Sequence, residues 1–379
     1  MRLVRGPRVR ERRGHGLRAA LDRGARLSPT DDGTGARTPG VPRTAVVVVN
    51  WERADLTIAA VRAVLDEGTA DHVVVVDNGS SDDSVPVLRR DLPGTTVIAR
   101  AHNGGFAAGA NTGIRHADAD VVVLLNNDAV PAPGFVRALR DHLTQAGPEV
   151  AAVTGRIVLA GRWTGLPVDA TPAPDQRVLR DHDGRLWTPS ADGEVRLNST
   201  GVRVDRDGNG MDRDWFAPVD RVADVDVFGF SGGASALRRS ALDDVGLLDE
   251  SLFMYYEDTE LAWRLRRRGW RVEHAADAVV EHDHSASSGV QSDLFLFRNA
   301  RNRLVVALWH APWSTVLRAG ARTLFRGLRG LLSGATRREA RLVLAAFVDV
   351  VGTLPAHLAR RLRETRRASV PRRSVDPGA

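Results

Sequence analysis

The sequence predicts an α/β protein in which helices cover both faces of a Rossmann-like, mostly parallel sheet, followed by a basic helical extension at the C-terminus. Three observations support this. Between residues 44 and 143, short apolar runs alternate with stretches of helical spacing, as in successive βαβ units. Polar residues follow several of these runs directly, where parallel strands present ligand-binding groups. Finally, 43% of the 379 residues are hydrophobic, which allows a sizeable core.

Each element is predicted from its local pattern. Continuous apolar runs rich in β-branched residues predict buried strands at residues 45–49 and 73–76, and further strands at residues 96–99 and 121–125. Apolar residues at helical spacing predict helices at residues 54–65, 84–90, 109–116 and 135–143. Beyond a stretch rich in Gly, Asp and Pro, we expect strands at residues 225–228, 271–273 and 278–281, and helices at residues 241–245 and 259–268.

Changes in composition divide the chain into three regions. We expect a disordered basic arm over residues 1–43, which hold 11 Arg and 4 acidic residues and lack the apolar stretch of a secretory signal. An Arg-rich transit peptide remains an alternative for this arm. One globular domain is predicted over residues 44–290, with a long loop-rich insertion at residues 161–222. Residues 291–379 are predicted to be a basic helical region with a disordered tail.

Composition excludes several chemistries. All 53 basic residues are Arg, which rules out a Walker-type phosphate loop and a Schiff-base lysine. The absence of Cys rules out a thiol nucleophile, a thiolate zinc site and disulfides, and is compatible with a reducing compartment. Residues 44–311 carry a net charge of −11, which argues against nucleic-acid binding by the core and favours recruitment of a divalent cation.

The C-terminal region has a basic and apolar helical pattern. Its members are Arg318, Arg322, Arg326 and Arg329, among Leu317, Leu324, Phe325 and Leu328. Such a helix suits an anionic membrane surface, but it could equally pack on the core with a solvated Arg face. The most apolar piece, residues 342–354, is shorter than the ~20 residues that a spanning helix needs.

Polar loops follow the first and second predicted strands and precede the third helix. Asp77 and its neighbours could accept hydrogen bonds from a base or a ribose, although an ordinary βα turn would look the same. The glycine-rich residues 103–113 could bring backbone amides to a diphosphate. They lack the order of a dinucleotide fingerprint, and a tight loop is the alternative.

Acidic and histidine residues suggest a metal and a general base. Asn127-Asp128 could hold a hard divalent cation, with His282 or His284 completing the shell; a zinc pair or surface histidines are alternatives. Asp258, beside Glu257, shares a helical face with apolar residues and could deprotonate a hydroxyl group, although an N-terminal cap would also use an acid. The acidic turn at residues 205–210 departs from EF-hand spacing, so a solvated turn is favoured over a calcium site.

Together these pieces resemble the inverting glycosyltransferases of family 2, and most closely their rhamnosyltransferase-like branch. The resemblance covers about residues 44–290, and its ordered series is far more specific than any single piece. The pieces are Val48-Val49-Asn50-Trp51, Asp77-Asn78-Gly79-Ser80-Ser81-Asp82, Asn103-Gly104-Gly105-Phe106, Asn111-Thr112-Gly113, Leu125-Asn126-Asn127-Asp128, Ser231-Gly232-Gly233-Ala234 and Glu257-Asp258-Thr259-Glu260-Leu261 with Arg264.

The resemblance implies a GT-A fold and a role for each matching residue. Asp258 would be the general base, with Glu257 beside it. Asp128 would bind Mg²⁺ or Mn²⁺, with His282 first and His284 second as the later histidine ligand. Asn126 stands where the metal-binding D-x-D element has its first acid. Contacts to the nucleotide sugar would come from Asn50, Trp51, Asp77, Asn78, Asn103, Gly105, Asn111, Asn127 and Arg264.

The implied reaction is inverting transfer of rhamnose, galactofuranose or a hexose from a nucleoside-diphosphate sugar to a glycan or polyprenyl-linked acceptor. We expect a cytoplasmic protein, peripheral on the inner face of the cell membrane, in cell-envelope polysaccharide synthesis, with no nucleic-acid partner. A nucleotidyltransferase is disfavoured, because Asn50-Trp51-Glu52 stands where its Gly-rich signature would be. A non-catalytic module that binds sugar nucleotides or glycans is the alternative of another class.

Overall fold

The computed structural model describes residues 40–167, 169–173, 176–221, 224–283, 292–333 and 336–375. Most of the predicted basic arm and His284 lie outside these residues. The strands are β1 (Thr44–Asn50), β2 (His72–Asp77), β3 (Thr96–Ala99), β4 (Val121–Asn126), β5 (Ala129–Pro131), β6 (Val150–Leu159), β7 (Trp163–Gly165), β8 (Leu179–Arg180), β9 (Leu186–Pro189), β10 (Leu197–Ser199), β11 (Val202–Val204), β12 (Gly210–Asp212), β13 (Asp226–Val227), β14 (Ala234–Arg238) and β15 (Arg271–His282).

The helices are α1 (Ala54–Glu67), α2 (Ser84–Asp91), α3 (Gly105–His116), α4 (Phe135–Gln145), α5 (Arg239–Val245), α6 (Glu257–Arg267), α7 (Asp293–His310), α8 (Trp313–Leu332), α9 (Arg337–Gly352), α10 (Leu354–Arg367) and α11 (Arg372–Val375). A single 3₁₀ turn, Glu250–Leu252, precedes α6.

A ten-stranded sheet forms the centre of the fold, with the order β13-β15-β6-β14-β4-β1-β2-β3; β10 also pairs with β6, and β5 with β15. Strands β3, β2, β1 and β4 are parallel, and β15 runs parallel to β6. Strand β14 lies antiparallel between β4 and β6. The carboxyl ends of β1, β2 and β4 therefore meet at one edge, which is where a ligand is expected.

The alternating direction of the side chains along β1 explains why helices cover both faces of the sheet. Val46 and Val48 point to one side, where they pack with α1, α2 and α4. Ala45 and Val47 point to the other side and pack with α3, α5 and α6. Because successive strand residues face opposite ways, a run apolar at every position must be buried on both faces. The predicted α/β class is confirmed.

Strands β6 and β14 are absent from the sequence prediction. Thr154, Gly155 and Arg156 interrupt the apolar run of β6, and β14 is short and rich in Ala, which has low β-propensity. β15 is one strand rather than two, because its pairing with β6 shifts register between Ala275 and Val279 instead of ending there. Pairing across the sheet, not local sequence, forms these three strands.

The segment at residues 161–222 adds small sheets beside the central one. β7, β8 and β9 form one around Trp163, Trp187 and Phe216, and β11 and β12 form a hairpin. Asp205 closes the acidic turn by accepting hydrogen bonds from the Asp207 and Asn209 amides at 2.8 and 2.9 Å. Its carboxylate is thereby used within the turn, and Asp207 pairs with Arg318 and Arg322 of α8, so the turn packs on a C-terminal helix and is less solvated than the sequence predicts.

The C-terminal helices pack on α6. Leu304, Val305 and Trp309 of α7 form an apolar cluster with Tyr256 and Trp263. Within the described residues, no single helix is long and apolar enough to cross a membrane, whereas α9 and α10, bent by 67° relative to each other, satisfy the length and composition test only as a pair.

Helix α8 packs on its neighbours through small residues and leaves large apolar ones exposed. Its buried residues are Thr315, Ala319, Thr323 and Gly327. Its exposed apolar residues are Trp313, Leu317, Leu324, Phe325, Leu328 and Leu332. Arg318 and Arg322 pair with Asp207, and Arg326 pairs with Glu339. The exposed side is therefore apolar as well as basic, unlike a helix that covers the core with an Arg face alone.

Candidate active site

Asn50 and Asp77 end adjacent strands and hold each other in place. They are register partners, and the Asn50 side-chain amide donates to the Asp77 carboxylate at 2.8 Å. Asp77 also accepts from the Ser80 amide and hydroxyl at 3.0 and 2.6 Å, and Asn50 accepts from Thr57 at 2.7 Å. Both are buried, whereas Trp51 is 44% exposed beside them. The βα-turn interpretation accounts for these bonds, and contact with a nucleoside remains a proposal.

Asn78, Asn103 and Gly105 form a second bonded group. The Asn78 side-chain amide donates to the Asn103 side-chain oxygen and to the Gly105 carbonyl, both at 3.0 Å. Gly105 has a φ of 83°, and a Cβ atom there would lie 2.0 Å from the Phe253 carbonyl oxygen. The glycine is therefore required by the close approach of the loop before α6, independently of any diphosphate.

A pocket of about 310 Å³ opens at the carboxyl edge of the sheet. It brings together four residues predicted for the site, namely Asn127, Glu257, Asp258 and His282. The other lining residues are Val49, Phe106, Asn126, Ala129, Ile157, Asn198, Asp212, Ser231, Gly232, Gly233, Met254 and Tyr255. Residues that are more than 100 positions apart in the chain thus share one polar cavity, the usual form of a small-molecule site.

Two adjacent carboxyl groups lie at the first turn of α6. Asp258 accepts hydrogen bonds from the Gly232 and Thr259 amides at 3.2 and 2.5 Å. Burial raises the pKa of Asp258 above its ordinary value. Burial and the nearby Asp258 also raise the pKa of Glu257, whose Oε2 is buried with no hydrogen-bond partner in the described part of the chain.

The position of Asp258 does not match that of a helix cap. The residue that caps α6 is Tyr256, whose side chain makes no capping hydrogen bond. Phe253, Tyr255 and Tyr256 all have positive φ, of 66°, 68° and 72°. Each such conformation costs about 1–3 kcal/mol in a non-glycine residue and persists only where its surroundings hold it.

Asn302 of α7 holds this strained loop. Its side-chain nitrogen lies 2.9, 3.0 and 2.9 Å from the carbonyl oxygens of Leu252, Met254 and Tyr255. Asn302 is fully buried, so these carbonyls have little access to water. Nothing in the local sequence marks Asn302 as part of the site, because its partners lie about 50 positions earlier.

Asp128 and His282 contact each other beside the pocket. The Nε2 atom of His282 lies 3.1 Å from an Asp128 carboxylate oxygen, and Nδ1 lies 2.6 Å from the Asn198 side-chain oxygen. Because an amide oxygen only accepts hydrogen bonds, the Nδ1–H group donates to Asn198, and this bond orients the ring so that Nε2 faces the Asp128 carboxylate. One carboxylate and one imidazole fit a divalent cation whose remaining ligands are phosphate oxygens and water. Across the described ranges, no three His, Asp or Glu side chains could hold a metal by themselves.

Two polar pocket residues, Asn198 and Asp212, come from the 161–222 segment and are missing from the sequence prediction. Burial raises the pKa of Asp212 to about 6; a hydrogen bond from Ser199 opposes this, and Asp258 reinforces it. A sequence signal for either residue is hard to define. Strand β10 reaches the pocket by pairing with β6, and the β11–β12 hairpin is attached by backbone hydrogen bonds between Val202 and Gly229.

Arg264 is not brought to the pocket. Its guanidinium donates to both oxygens of Glu260 at 2.7 to 3.0 Å and to the carbonyls of Val245, Gly246 and Leu247. Burial alone would raise the pKa of Glu260, but Arg264, His310 and Arg360 lower it well below its usual range. With its donors satisfied inside the core, Arg264 has a structural role instead of the predicted ligand contact.

Asn111 is likewise used within the fold. Its side-chain nitrogen donates to the Leu248 carbonyl at 2.8 Å and to Glu250 at 2.9 Å, and its oxygen accepts from the Leu248 amide. Asn111 is buried. Its side chain therefore ties α3 to the loop before α6 and is not positioned to bind the nucleotide.

Glu257→Gln is expected to stabilise the protein increasingly as pH rises. Because the folded-state pKa of Glu257 is raised, the wild type loses stability as pH rises from the ordinary carboxylate pKa through the folded value, whereas Gln does not titrate. The urea midpoint of Glu257→Gln should exceed that of the wild type by more at about pH 9 than at about pH 5. Glu149→Gln controls for loss of an exposed charge. If this difference in urea midpoint did not change with pH, the interpretation of Glu257 as a buried carboxyl without a compensating partner would be wrong.

Comparison with known proteins identifies related sequences. The family model described as "Glycosyl transferase family 2" matches residues 45–246, more than half of the chain. A pre-mycofactocin glycosyltransferase of Mycobacterium tuberculosis is 27% identical over 56% of this chain and 37% of its own length. An N-acetylglucosaminyl-diphospho-decaprenol L-rhamnosyltransferase of the same species is 27% identical over 72% of this chain and 88% of its own.

A solved structure shares the fold. GalNAc-T7, crystallised with UDP, GalNAc and Mn²⁺, superposes with a TM-score of 0.53 at 13% identity, covering 84% of this chain and 58% of that one. At this identity the likeness concerns architecture alone. It confirms the GT-A arrangement of a mostly parallel sheet flanked by helices.

Proposed function

Since the chain belongs to glycosyl transferase family 2, we propose that it is a metal-dependent, inverting glycosyltransferase. The donor is a nucleoside-diphosphate sugar, and the acceptor is a hydroxyl group of a glycan or polyprenyl-linked glycan. One observation carries the proposal: Asp258 lines the same pocket as Asn127 and His282, with Asp128 bonded to His282. This arrangement supports a proton acceptor and a group of diphosphate ligands at one cavity.

The donor is bound along the carboxyl edge of the sheet. We assign the nucleoside to the end of β1 and β2, where Trp51 is exposed beside Asn50 and Asp77. The diphosphate lies toward Asn127, Asp128 and His282, and Asp128 and His282 are the residues that would hold Mg²⁺ or Mn²⁺. When bound, the metal neutralises the negative charge that develops on the departing diphosphate.

Asp258 removes the proton from the acceptor hydroxyl. The acceptor oxygen attacks the anomeric carbon as the bond from that carbon to the diphosphate oxygen breaks, so the configuration inverts and a nucleoside diphosphate leaves. A carboxyl group with a raised pKa is a stronger base than an ordinary carboxylate, which suits proton removal near neutral pH. The amides of Gly232 and Thr259 hold the carboxylate in place.

We propose a lipid-linked acceptor, reached from the cytoplasmic face of the membrane, in cell-envelope polysaccharide synthesis. Two observations support it. The rhamnosyltransferase to which the chain is similar is named for a decaprenol-linked substrate. Helix α8 exposes Leu317, Phe325 and Leu332 beside Arg residues, a composition that favours an anionic lipid surface. The transferred sugar belongs to the class of rhamnose, galactofuranose and hexoses.

A thermal-shift panel tests the donor site. Nucleoside diphosphates and nucleotide sugars, each with and without Mn²⁺, should reveal one nucleotide that stabilises the protein only with metal. A transfer assay with that donor then separates a catalyst from a binding module. No metal-dependent shift with any nucleotide, from a folded sample, would overturn the donor assignment. Metal-dependent binding without donor hydrolysis or transfer would favour the non-catalytic module.

A further inference from the structure

A second and larger pocket lies among the C-terminal helices, at the opposite end of α6 from Asp258. It measures about 940 Å³, and its wall includes Arg267, Arg361 and Arg372. Arg267 is the last residue of α6, whose first residue lines the candidate active site. A helix of this length spans about 15 Å, so the two pockets are separate.

The arginines of this pocket are poorly compensated by acids. Arg267 is only 4% exposed, yet its Nε and Nη1 atoms are buried without a hydrogen-bond partner among the residues that the structure describes, as is Nε of Arg372. Burial and the neighbouring arginines lower the pKa of Arg267 and of Arg361 to about 10. The Glu364 carboxylate raises the pKa of Arg267 and of Arg372 and so partly offsets the effect of burial. One of its oxygens, however, also lies 3.8 Å from Nε of Arg360.

The wall of the pocket is firmly built. The Ser369 and Val370 amides both donate to the Arg267 carbonyl at 2.9 Å and hold the segment after α10 against α6. Arg361 donates to the Leu308 and Ala311 carbonyls at 2.7 and 2.8 Å. The main chain thus positions cationic groups that lack a matching anion, although unpaired buried donors are costly.

We propose that this pocket binds the phosphate group of an anionic lipid headgroup. A phosphate offers acceptor oxygens and negative charge, which planar guanidinium groups bind in bidentate fashion. The rim identifies lipid as the source. Trp313 and Leu362 line the pocket and are 51% and 61% exposed, and Arg361 lies 4.2 Å above the Trp313 ring.

The rim also connects the pocket with the exposed apolar side of α8, which begins at Trp313 and continues through Leu317. A lipid could place its phosphate over the arginines and its glycerol and acyl part along these side chains. The inference therefore rests on the membrane contact proposed above, but not on sugar transfer. It adds a defined headgroup site to what would otherwise be nonspecific adsorption.

The test compares Arg267→Met with Arg366→Met in the full-length chain. The control Arg366→Met removes the same charge from a position outside the pocket, because Arg366 is exposed on α10 and does not line the pocket. In phosphate-free buffer, Arg267→Met should melt at the same temperature as the wild type or higher, because it removes a repelling, unpaired cation. Its affinity for vesicles containing phosphatidic acid should fall by about tenfold or more, while Arg366→Met changes affinity less than about threefold.

Three comparisons decide the outcome. Vesicles made anionic with oleate, which lacks phosphate, should not distinguish Arg267→Met from the control. Equal loss of phosphatidic acid binding in both variants would overturn the pocket and leave only general charge attraction. A thermal shift with inorganic phosphate that Arg267→Met abolishes, without any difference on vesicles, would overturn the lipid assignment. If Arg267→Met still binds the donor in the thermal-shift panel, a negative result on vesicles concerns the lipid pocket alone and leaves the proposed glycosyl transfer unaffected.

Discussion

Asp258→Asn is expected to lower the turnover number by about 10²- to 10⁴-fold, the usual contribution of a general base. Asparagine has nearly the same shape, and its side-chain oxygen can still accept the hydrogen bond from the Gly232 amide. It cannot, however, take a proton from the acceptor hydroxyl. Single-turnover transfer, measured at saturating donor, would isolate this step from nucleotide binding.

Nucleotide affinity is the internal control for this variant. Asp258 lies at the pocket but makes no hydrogen bond to Asp128 or His282 among the described residues, so the metal-dependent thermal shift should be unchanged. Glu257→Gln is the matched neighbour. We expect it to retain most of the turnover, because the proposed mechanism uses Asp258 for proton removal. Intact turnover in Asp258→Asn with normal donor binding would refute the assignment of the base.

Asp128→Asn is expected to weaken metal-dependent nucleotide binding by about 100-fold or more, since it removes the only carboxylate that contacts His282 in the described structure. Binding of the nucleotide without metal should hardly change. Titration calorimetry with the nucleoside diphosphate, with and without Mn²⁺, separates these contributions. By linkage, the factor by which the nucleotide increases metal affinity should fall by the same amount.

Asp212→Asn is the control for this substitution. It removes a carboxyl group that lines the same pocket but does not contact His282 through a hydrogen bond in the described structure. If Asp128 acted only through the negative potential of the pocket, both variants would lose metal dependence alike. Asn198→Ala should give an intermediate loss of about tenfold, because it removes the bond that fixes the His282 ring.

The features that can be predicted from the sequence are those set by residues close together in the chain. Strands β1 to β4 are apolar at almost every position, and a polar residue at the end of such a strand in a parallel sheet must lie at the ligand-binding edge. Asn50, Asp77 and Asn127 could therefore be assigned to that edge without a structure. Asp258 was predictable for a similar reason, since helical spacing placed it on the inner face of α6.

What the sequence could not predict depends on contacts between distant segments. Asn198 reaches the pocket through pairing of β10 with β6. Asp212 lies in the local β11–β12 hairpin, which is attached by backbone hydrogen bonds between Val202 and Gly229. Arg264 looked available for a ligand because its partners, Glu260 aside, are backbone carbonyls, which any sequence supplies. The surroundings of a charged side chain decide whether it serves binding or folding, and those surroundings are set by tertiary structure.

The three contacts from Asn302 to the loop before α6 connect the C-terminal helices with the candidate active site. The residues with positive φ next to Glu257 need support from their surroundings, and Asn302 of α7 contacts their loop, so we expect ordering of α7 to favour ordering of this loop. Linkage of this kind is reciprocal. A membrane that steadies the C-terminal helices would thus favour the ordered loop, and the proposed transfer would be fastest at the surface where the proposed lipid-linked acceptor is found.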